Sequence, residues 1–116
     1  MNLLHTSLDG PTEFEIASEA YTNLKKWWPY GVRGQYEVHC QETYGIAVFD
    51  IVLLTPKSEL FLVIEVKKKK SSKNWFKQKE KYETISGCRV FHVIGMESAR
   101  NVVQNVQNFI KSEELE

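Results

Sequence analysis

The segment that most constrains the fold runs from Tyr44 to Lys70 and reads YGIAVFDIVLLTPKSELFLVIEVKKKK. Two apolar stretches rich in β-branched residues predict strands, and the polar turn at 55–59 predicts an antiparallel hairpin. Each strand nevertheless carries charge inside its apolar run: Asp50 in the first, Glu65 and Lys67 in the second. Because strand side chains alternate, Glu65 and Lys67 share a side, and a loop of about four residues puts Asp50 opposite or next to Glu65. The hairpin therefore predicts two carboxylates and an ammonium in one mostly buried patch.

Such a patch is electrostatically costly unless something compensates the two acids. A buried lone carboxylate costs several kcal/mol, and two side by side also repel each other. A divalent cation between Asp50 and Glu65 would remove that cost, and so would neutralisation by Lys67. Mg²⁺ suits the first arrangement, since one or two carboxylates, waters and substrate phosphate oxygens usually hold it. The hairpin alone leaves two interpretations open: a site for metal-assisted phosphodiester hydrolysis, or a structural lysine–carboxylate cluster.

Length and composition predict a single domain over residues 1–116, located in the cytoplasm. The formal net charge is zero, so attraction to nucleic acid or membrane has to be local. The two cysteines, Cys40 and Cys88, come without a secretory segment and are predicted to be reduced thiols. The N-terminal stretch lacks a basic region followed by a long apolar run, and charged residues interrupt the longest apolar region. We therefore expect no membrane association.

The remaining pattern predicts an α/β protein. A helix begins near Thr12, with Glu15 completing a capping box. Its predicted inner stripe comprises Phe14, Ala17, Tyr21, Leu24 and Trp28, with Ile16 and Ala20 at the margin. The other predicted elements are a turn at 31–34, a strand at 36–43, the hairpin, a helix at 74–86, a strand at 88–94, a turn at Gly95 and a last helix at 97–111.

Two polar residues fall on apolar helix faces. Glu13 lies within the inner stripe at the first turn, where the helix N-terminus already favours an acid. Gln78 lies on the inner stripe of the second helix, with Trp75, Tyr82 and Ile85, and needs a hydrogen-bond partner if buried. Glu13 could instead reach the acids of the hairpin. Gln78 could bind a backbone carbonyl, or a metal-bound water, a phosphate or one of those acids.

A basic run follows the hairpin. Eight lysines lie between positions 67 and 81 of a chain whose net charge is zero. Charge runs are usually solvated faces. Beside two acids and Lys67, however, this run also has the composition of a strip that contacts phosphates.

The order helix, three strands, helix, strand, helix, with these acids on strands two and three, resembles the core of the PD-(D/E)XK phosphodiesterase superfamily. The motif residues are Asp50 after Phe49, where many members have proline, and then Glu65-Val66-Lys67. Glu13 matches the helix-one glutamate of many members, including archaeal Holliday-junction resolvases. The resemblance covers roughly residues 12–95 and implies an α/β mixed sheet, a restriction-endonuclease-like αβββαβ core with a C-terminal helix.

A second motif is similar to one found in particular branches of this superfamily. The spacing Gln-x-x-x-Tyr, here Gln78 to Tyr82, is similar to that of branches containing recombination exonucleases and the nuclease domain of type I restriction subunits.

The resemblance implies a role for each motif residue. Asp50 and Glu65 would hold one or two Mg²⁺ ions, with Mn²⁺ as a substitute and the carbonyl of Val66 as a further ligand. Lys67 would orient the attacking water or stabilise the transition state, and Glu13 would add a direct or water-mediated ligand.

The outer residues would support the site or hold DNA. Gln78 would hold the site residues in position or contact the DNA backbone. The residues implied to touch the DNA backbone are Lys68, Lys69, Lys70, Lys73 and Tyr82.

The resulting hypothesis is a metal-dependent DNA endonuclease of the PD-(D/E)XK type. We expect a homodimer as a further hypothesis, because cutting both strands of a duplex calls for two sites. The alternatives are a non-catalytic DNA-binding or regulatory module that retains the fold, and a small α/β protein with a structural lysine–glutamate pair.

Overall fold

The computed structural model describes residues 10–40, 45–69 and 75–114, which form a four-stranded mixed sheet with helices on both faces. The helices and strands, in chain order, are α1 (Glu13–Trp27), β1 (Val32–Cys40), β2 (Gly45–Leu54), β3 (Leu60–Lys67), α2 (Trp75–Ser86), β4 (Arg89–Ile94), α3 (Gly95–Arg100) and α4 (Val102–Glu114). This order confirms the predicted succession of elements except at the C-terminus, where two helices replace the single one predicted. None of the described helices is both long and apolar enough to span a bilayer.

The sheet has the strand order β1-β2-β3-β4. The first three strands pair antiparallel, and β4 joins β3 in parallel after the crossover through α2. The β2–β3 turn closes with the N–H of Thr55 donating to the carbonyl of Glu59 at 2.7 Å. Residues Leu62–Val66 are all buried, because β3 has a strand on each side and helices on both faces. The predicted antiparallel hairpin is confirmed.

Helix α1 begins with the predicted capping box. The N–H of Thr12 donates to Oε1 of Glu15 at 2.8 Å, and the N–H of Glu15 donates to Oγ1 of Thr12 at 3.1 Å. The helix buries Ile16, Ala20 and Leu24 completely, whereas Phe14 is 78% exposed. The predicted inner stripe was wrong for Phe14 but is confirmed for Leu24, and Ala17, Tyr21 and Trp28 pack against the core as partly buried residues. Ile16 and Ala20, which were placed at the margin, are fully buried.

Each face of the sheet has its own apolar cluster. The cluster under α1, α3 and α4 contains the buried residues Ile16, Ala20, Leu24, Val32, Ile51, Leu53, Leu62, Ile64, Val66, Val93, Ala99, Val102 and Val106. The cluster under α2 contains Ala47, Phe49, Val52, Leu54, Val63 and Val90, with Tyr82 and Ile85 of the helix packed against them. Helices therefore cover both faces, which explains the nearly uninterrupted apolar sequence of β3.

Alternation along β2 changes at Asp50. Ile51 and Leu53 face α1, whereas Phe49, which strict alternation would place with them, faces α2. In β1, Gln35 has a left-handed φ of 49°, one residue beyond the turn predicted at 31–34. That prediction was wrong, because the chain enters β1 at Val32 and bends inside the strand.

The C-terminal segment departs from the prediction as well. Gly95, predicted to form a turn, is the first residue of α3 and has a φ of 84°. The helix is interrupted at Asn101, whose N–H still reaches the carbonyl of Glu97 at 3.1 Å. The predicted apolar side chains remain inward on both pieces, with Ala99 and Val102 fully buried.

Candidate functional site

The sheet ladder is interrupted at Asp50. Pairing of β1 with β2 passes from Gly34↔Ile51 to Tyr36↔Phe49 without a pair at Asp50. Pairing of β2 with β3 runs from Leu54 only as far as Ile51↔Ile64. The next residue on each strand, Asp50 and Glu65, is therefore where the hairpin opens.

The two acids close this opening with side chains. The backbone N–H of Asp50 donates to Oε2 of Glu65 at 3.1 Å, and the N–H of Val66 donates to Oδ2 of Asp50 at 2.8 Å. Each carboxylate thus replaces a carbonyl that a regular ladder would have supplied. The prediction that Asp50 lies beside Glu65 across the hairpin is confirmed.

Burial makes this pair of acids difficult to ionise. Glu65 is only 5% exposed, and burial, then the charge of Asp50, raise its pKa to about 8 against the opposing effects of the Asp50 N–H and Lys67. Burial also raises the pKa of Asp50, although the N–H of Val66 lowers it. The pair therefore tends to retain a proton near neutral pH. Lys67 lowers both pKa values but does not offset burial.

Lys67 and Glu13 lie at the margin of the site. Lys67 is the last residue of β3 and is partly buried, and Glu13 is exposed on the first turn of α1. The charge of Glu13 raises the pKa of both Asp50 and Glu65, so the Glu13 carboxylate is close enough to interact electrostatically with both acids. Within the described ranges, however, no three histidine, cysteine, aspartate or glutamate side chains converge on a common metal position.

The donor set fits a hard cation held by two carboxylates. Each acid uses one oxygen for a backbone N–H, and the described residues donate no hydrogen bond to Oδ1 of Asp50 or Oε1 of Glu65. Mg²⁺ prefers one or two carboxylates completed by water and phosphate oxygens. A dication at this position would also relieve the repulsion that raises both pKa values. Ligation by the carbonyl of Val66, a buried residue, stays a prediction.

The Gln-x-x-x-Tyr residues lie on α2, next to Phe49 and the two acids. The side-chain amide of Gln78 donates to the hydroxyl of Tyr82 at 3.3 Å, and the Tyr82 ring packs edge-to-face on Phe49, with centroids 5.1 Å apart. Burial, then the charges of Glu65 and Asp50, raise the pKa of Tyr82, so its hydroxyl lies near the acids. Tyr82 is partly buried, a placement that suits support of Phe49 and the acids. The DNA contact predicted for it stays a prediction.

The lysines beyond β3 are only partly described. Lys68 and Lys69 are exposed directly after the strand, close in sequence to Lys67. Lys70 and Lys73 lie outside the described residues. On α2, Lys77 and Lys81 are exposed, and Lys79 acts electrostatically on His92 of the neighbouring strand.

One residue near the site was not predicted. His92 is the parallel partner of Glu65, and burial, then the charges of Lys67 and Lys79, lower its pKa to about 4. The side chain is therefore neutral at pH 7. The sequence does not indicate this neighbour, because only the parallel pairing of β3 with β4 brings His92 next to Glu65.

Comparison of the chain with protein-family models, with curated proteins and with solved structures gave no match. The functional interpretation therefore rests on the residues and geometry of the chain itself.

Proposed function

We propose that this protein hydrolyses phosphodiester bonds of DNA with a divalent metal ion bound by Asp50 and Glu65. The observation that supports this most directly is the reciprocal pairing of the two acids where the β2–β3 ladder opens, with Lys67 two residues beyond Glu65. Burial leaves both carboxyls with raised pKa values despite the nearby ammonium. A purely structural cluster gains little from such unfavourable electrostatics, whereas a bound dication would offset them.

The topology supports the same proposal. Three antiparallel strands followed by a helix and a parallel fourth strand have the order expected of a restriction-endonuclease-like core. In that interpretation, the acids of β2 and β3 and the N-terminus of α1 lie at one end of the sheet. We propose this fold for the chain.

The chain's own residues have distinct parts in the reaction. A metal ion bound by the acids would lower the pKa of a water and offset charge on the phosphate. Lys67 places an ammonium beside the same phosphate, where a compact point charge stabilises the developing negative charge. Glu13 at the rim orients water, and Tyr82 with Gln78 holds Phe49 and the acids in place.

The exposed lysines supply the nonspecific part of DNA binding. Lys68 and Lys69 continue from the catalytic strand, so a phosphate backbone crossing the site would meet their ammonium groups. Contacts of this kind position DNA without reading bases, and their strength falls with salt. We propose DNA as the substrate on this basis.

The decisive experiment is cleavage of plasmid, single-stranded and branched DNA in Mg²⁺, Mn²⁺ or EDTA. We expect Asp50→Asn and Lys67→Met each to lose about a hundredfold or more of the metal-dependent rate. Glu59→Gln is the matched control, because Glu59 is an exposed acid at the other end of the same hairpin. It should cleave like the wild type.

Two outcomes would overturn the proposal. Equal residual cleavage by the wild type, Asp50→Asn and Lys67→Met would identify a contaminating nuclease. DNA binding that is identical in Mg²⁺ and EDTA, without cleavage of any substrate, would leave a non-catalytic DNA-binding module as the function.

A further inference from the structure

A groove of about 380 Å³ lies between α1 and the β1–β2 side of the sheet. Asp50 lines it together with Phe14, Ser18, Tyr21, Thr22 and Gln35. The groove is therefore continuous with the candidate site, because one of the two proposed metal ligands belongs to both. What occupies it would lie directly beside the reacting phosphate.

Two aromatic side chains follow one side of this groove. Phe14 is 78% exposed, the largest exposure among the large hydrophobic side chains in the described part of the chain. Tyr21 is seven residues further along α1, on the same face and about 10 Å away along the helix axis. An exposed ring is unremarkable when it is isolated. Here two rings line one concave surface that also includes Asp50.

The polar groups of the groove are mostly neutral. Ser18 and Thr22 contribute hydroxyls from α1, and Gln35 contributes an amide from β1. Neutral donors and acceptors of this kind match the edges of a nucleobase, whose faces stack on aromatic rings. Lys25 lies with its ammonium 5.5 Å from the Tyr21 ring centroid and so adds a positive charge near that end.

A bend in β1 lies at the groove. Gln35 has a left-handed φ of 49° and lies at the position where β1 and β2 leave out a pair, opposite Asp50. Val32 faces α1, whereas Tyr36 faces α2, so the strand turns its faces over at this residue. A non-glycine residue in this conformation is strained, and such strain often accompanies a ligand-binding surface.

Resting on the proposed function, we propose that this groove holds the unpaired base of a nucleotide adjoining the cleaved phosphate. A base inside a duplex cannot present its face to the groove, so the substrate is single-stranded or locally unpaired DNA. Phe14 stacks on the base, the hydroxyls and amide contact its edges, and Lys25 draws the neighbouring phosphate.

The test is equilibrium binding in EDTA, where no metal-dependent cleavage occurs. Fluorescence anisotropy would compare a labelled single strand, the same strand with abasic sites and the matching duplex. We expect Phe14→Ala to lower the ratio of single-strand to duplex affinity about tenfold and to leave abasic affinity at the wild-type level. Phe14→Trp should preserve the ratio, because it retains a stacking ring.

The matched control is Phe61→Ala, which removes a partly exposed phenylalanine near the β2–β3 turn, outside the groove. Thermal unfolding of each variant shows that it is folded, and Phe14→Leu provides a second variant that keeps apolar volume without an aromatic face. The proposal is overturned if Phe14→Ala and the wild type have equal ratios, or if all three nucleic acids lose affinity together. Cleavage by Asp50→Asn is measured separately, so failure of the nuclease proposal leaves the binding result interpretable.

Discussion

The β2–β3 hairpin contains an apolar half, held by ladder hydrogen bonds and buried side chains, and a polar half, held by two carboxylates. From Ile51 to Leu53, β2 pairs with β3 in a regular ladder whose side chains are buried on both faces. One residue beyond Ile51, Asp50 and Glu65 replace ladder carbonyls with carboxylates. The same two strands thus provide an apolar support and, next to it, a polar end where burial and charge oppose ionisation.

This difference explains why the acids can be held together at all. The apolar half fixes the spacing of the strands, and the reciprocal N–H bonds fix the two carboxylates relative to them. Repulsion and burial then oppose ionisation without separating the side chains. Stability from one half compensates for the electrostatic cost in the other, which is the arrangement expected where a site is built for binding.

The largest effect should come from the apolar half. Ile64→Ala removes a fully buried side chain from the cluster under α1 and should lower the free energy of unfolding by about 2–5 kcal/mol. Ile64→Val, which removes one methylene, should cost about 0.5–1.5 kcal/mol. Urea denaturation measures both. A loss that varies strongly with pH would show that the apolar and polar halves are coupled.

The sequence predicted much of this contrast. The apolar stretches and the polar turn predicted the hairpin, and its register follows from the turn length, which is why Asp50 and Glu65 could be paired in advance. The start of α1 at Thr12 was predicted from an equally local signal, the capping box. These features depend on neighbouring residues, so the pattern contains the necessary information.

What the sequence did not predict depends on contacts between distant segments. Helical periodicity identifies an apolar stripe but not which margin meets the sheet, so Phe14 was placed inward and is exposed. His92 reaches Glu65 only through the parallel β3–β4 pairing. The bend at Gln35 follows Gly34, but the left-handed conformation falls on the glutamine and not on the glycine, which the sequence pattern does not indicate.

The second effect should have the opposite sign and depend on pH. Because the pKa of Glu65 is raised from 4.5 to about 8 in the folded state, the folded protein holds a proton that the unfolded chain releases. Its contribution to stability is complete below pH 4.5 and is lost as pH rises through 8. Glu65→Gln keeps an acceptor for the Asp50 N–H without the charge, so it should stabilise the protein by a few kcal/mol at pH 9 and little at pH 5.

Chemical denaturation of the wild type and Glu65→Gln across pH 5–9 measures this difference. His92 contributes with the other sign: its pKa is lowered to about 4, so its share is present above 6.5 and is lost as pH falls toward 4. Both proteins contain His92, so its effect cancels in the comparison. A stability difference that stays constant with pH would show that Glu65 is not the titrating group.

A metal ion should produce a smaller stabilisation, confined to the polar half. At a free Mn²⁺ concentration ten times the dissociation constant, binding should add about 1.4 kcal/mol to the unfolding free energy of the wild type. The gain should be larger at pH 8 than at pH 5, since binding requires deprotonated carboxylates. Thermal unfolding with and without Mn²⁺ measures it. Asp50→Asn should lose the gain and Glu59→Gln should keep it, whereas an equal gain in all three would place the metal elsewhere.

The smallest effect should come from Tyr82, which supports the polar half of the hairpin from α2. Its ring packs on the buried Phe49, while its hydroxyl accepts from Gln78 and lies near the acids. Tyr82→Phe keeps the ring contact and should cost about 1 kcal/mol. A double-mutant cycle with Gln78→Leu separates the hydrogen bond from the packing, because Tyr82→Phe should then cost less in the Gln78→Leu background. Additive losses would mean that the Gln78–Tyr82 bond contributes nothing. If Tyr82→Ala destabilises the protein no more than Tyr82→Phe does, the Tyr82 ring does not support Phe49. The hairpin alone would then hold the two acids in place.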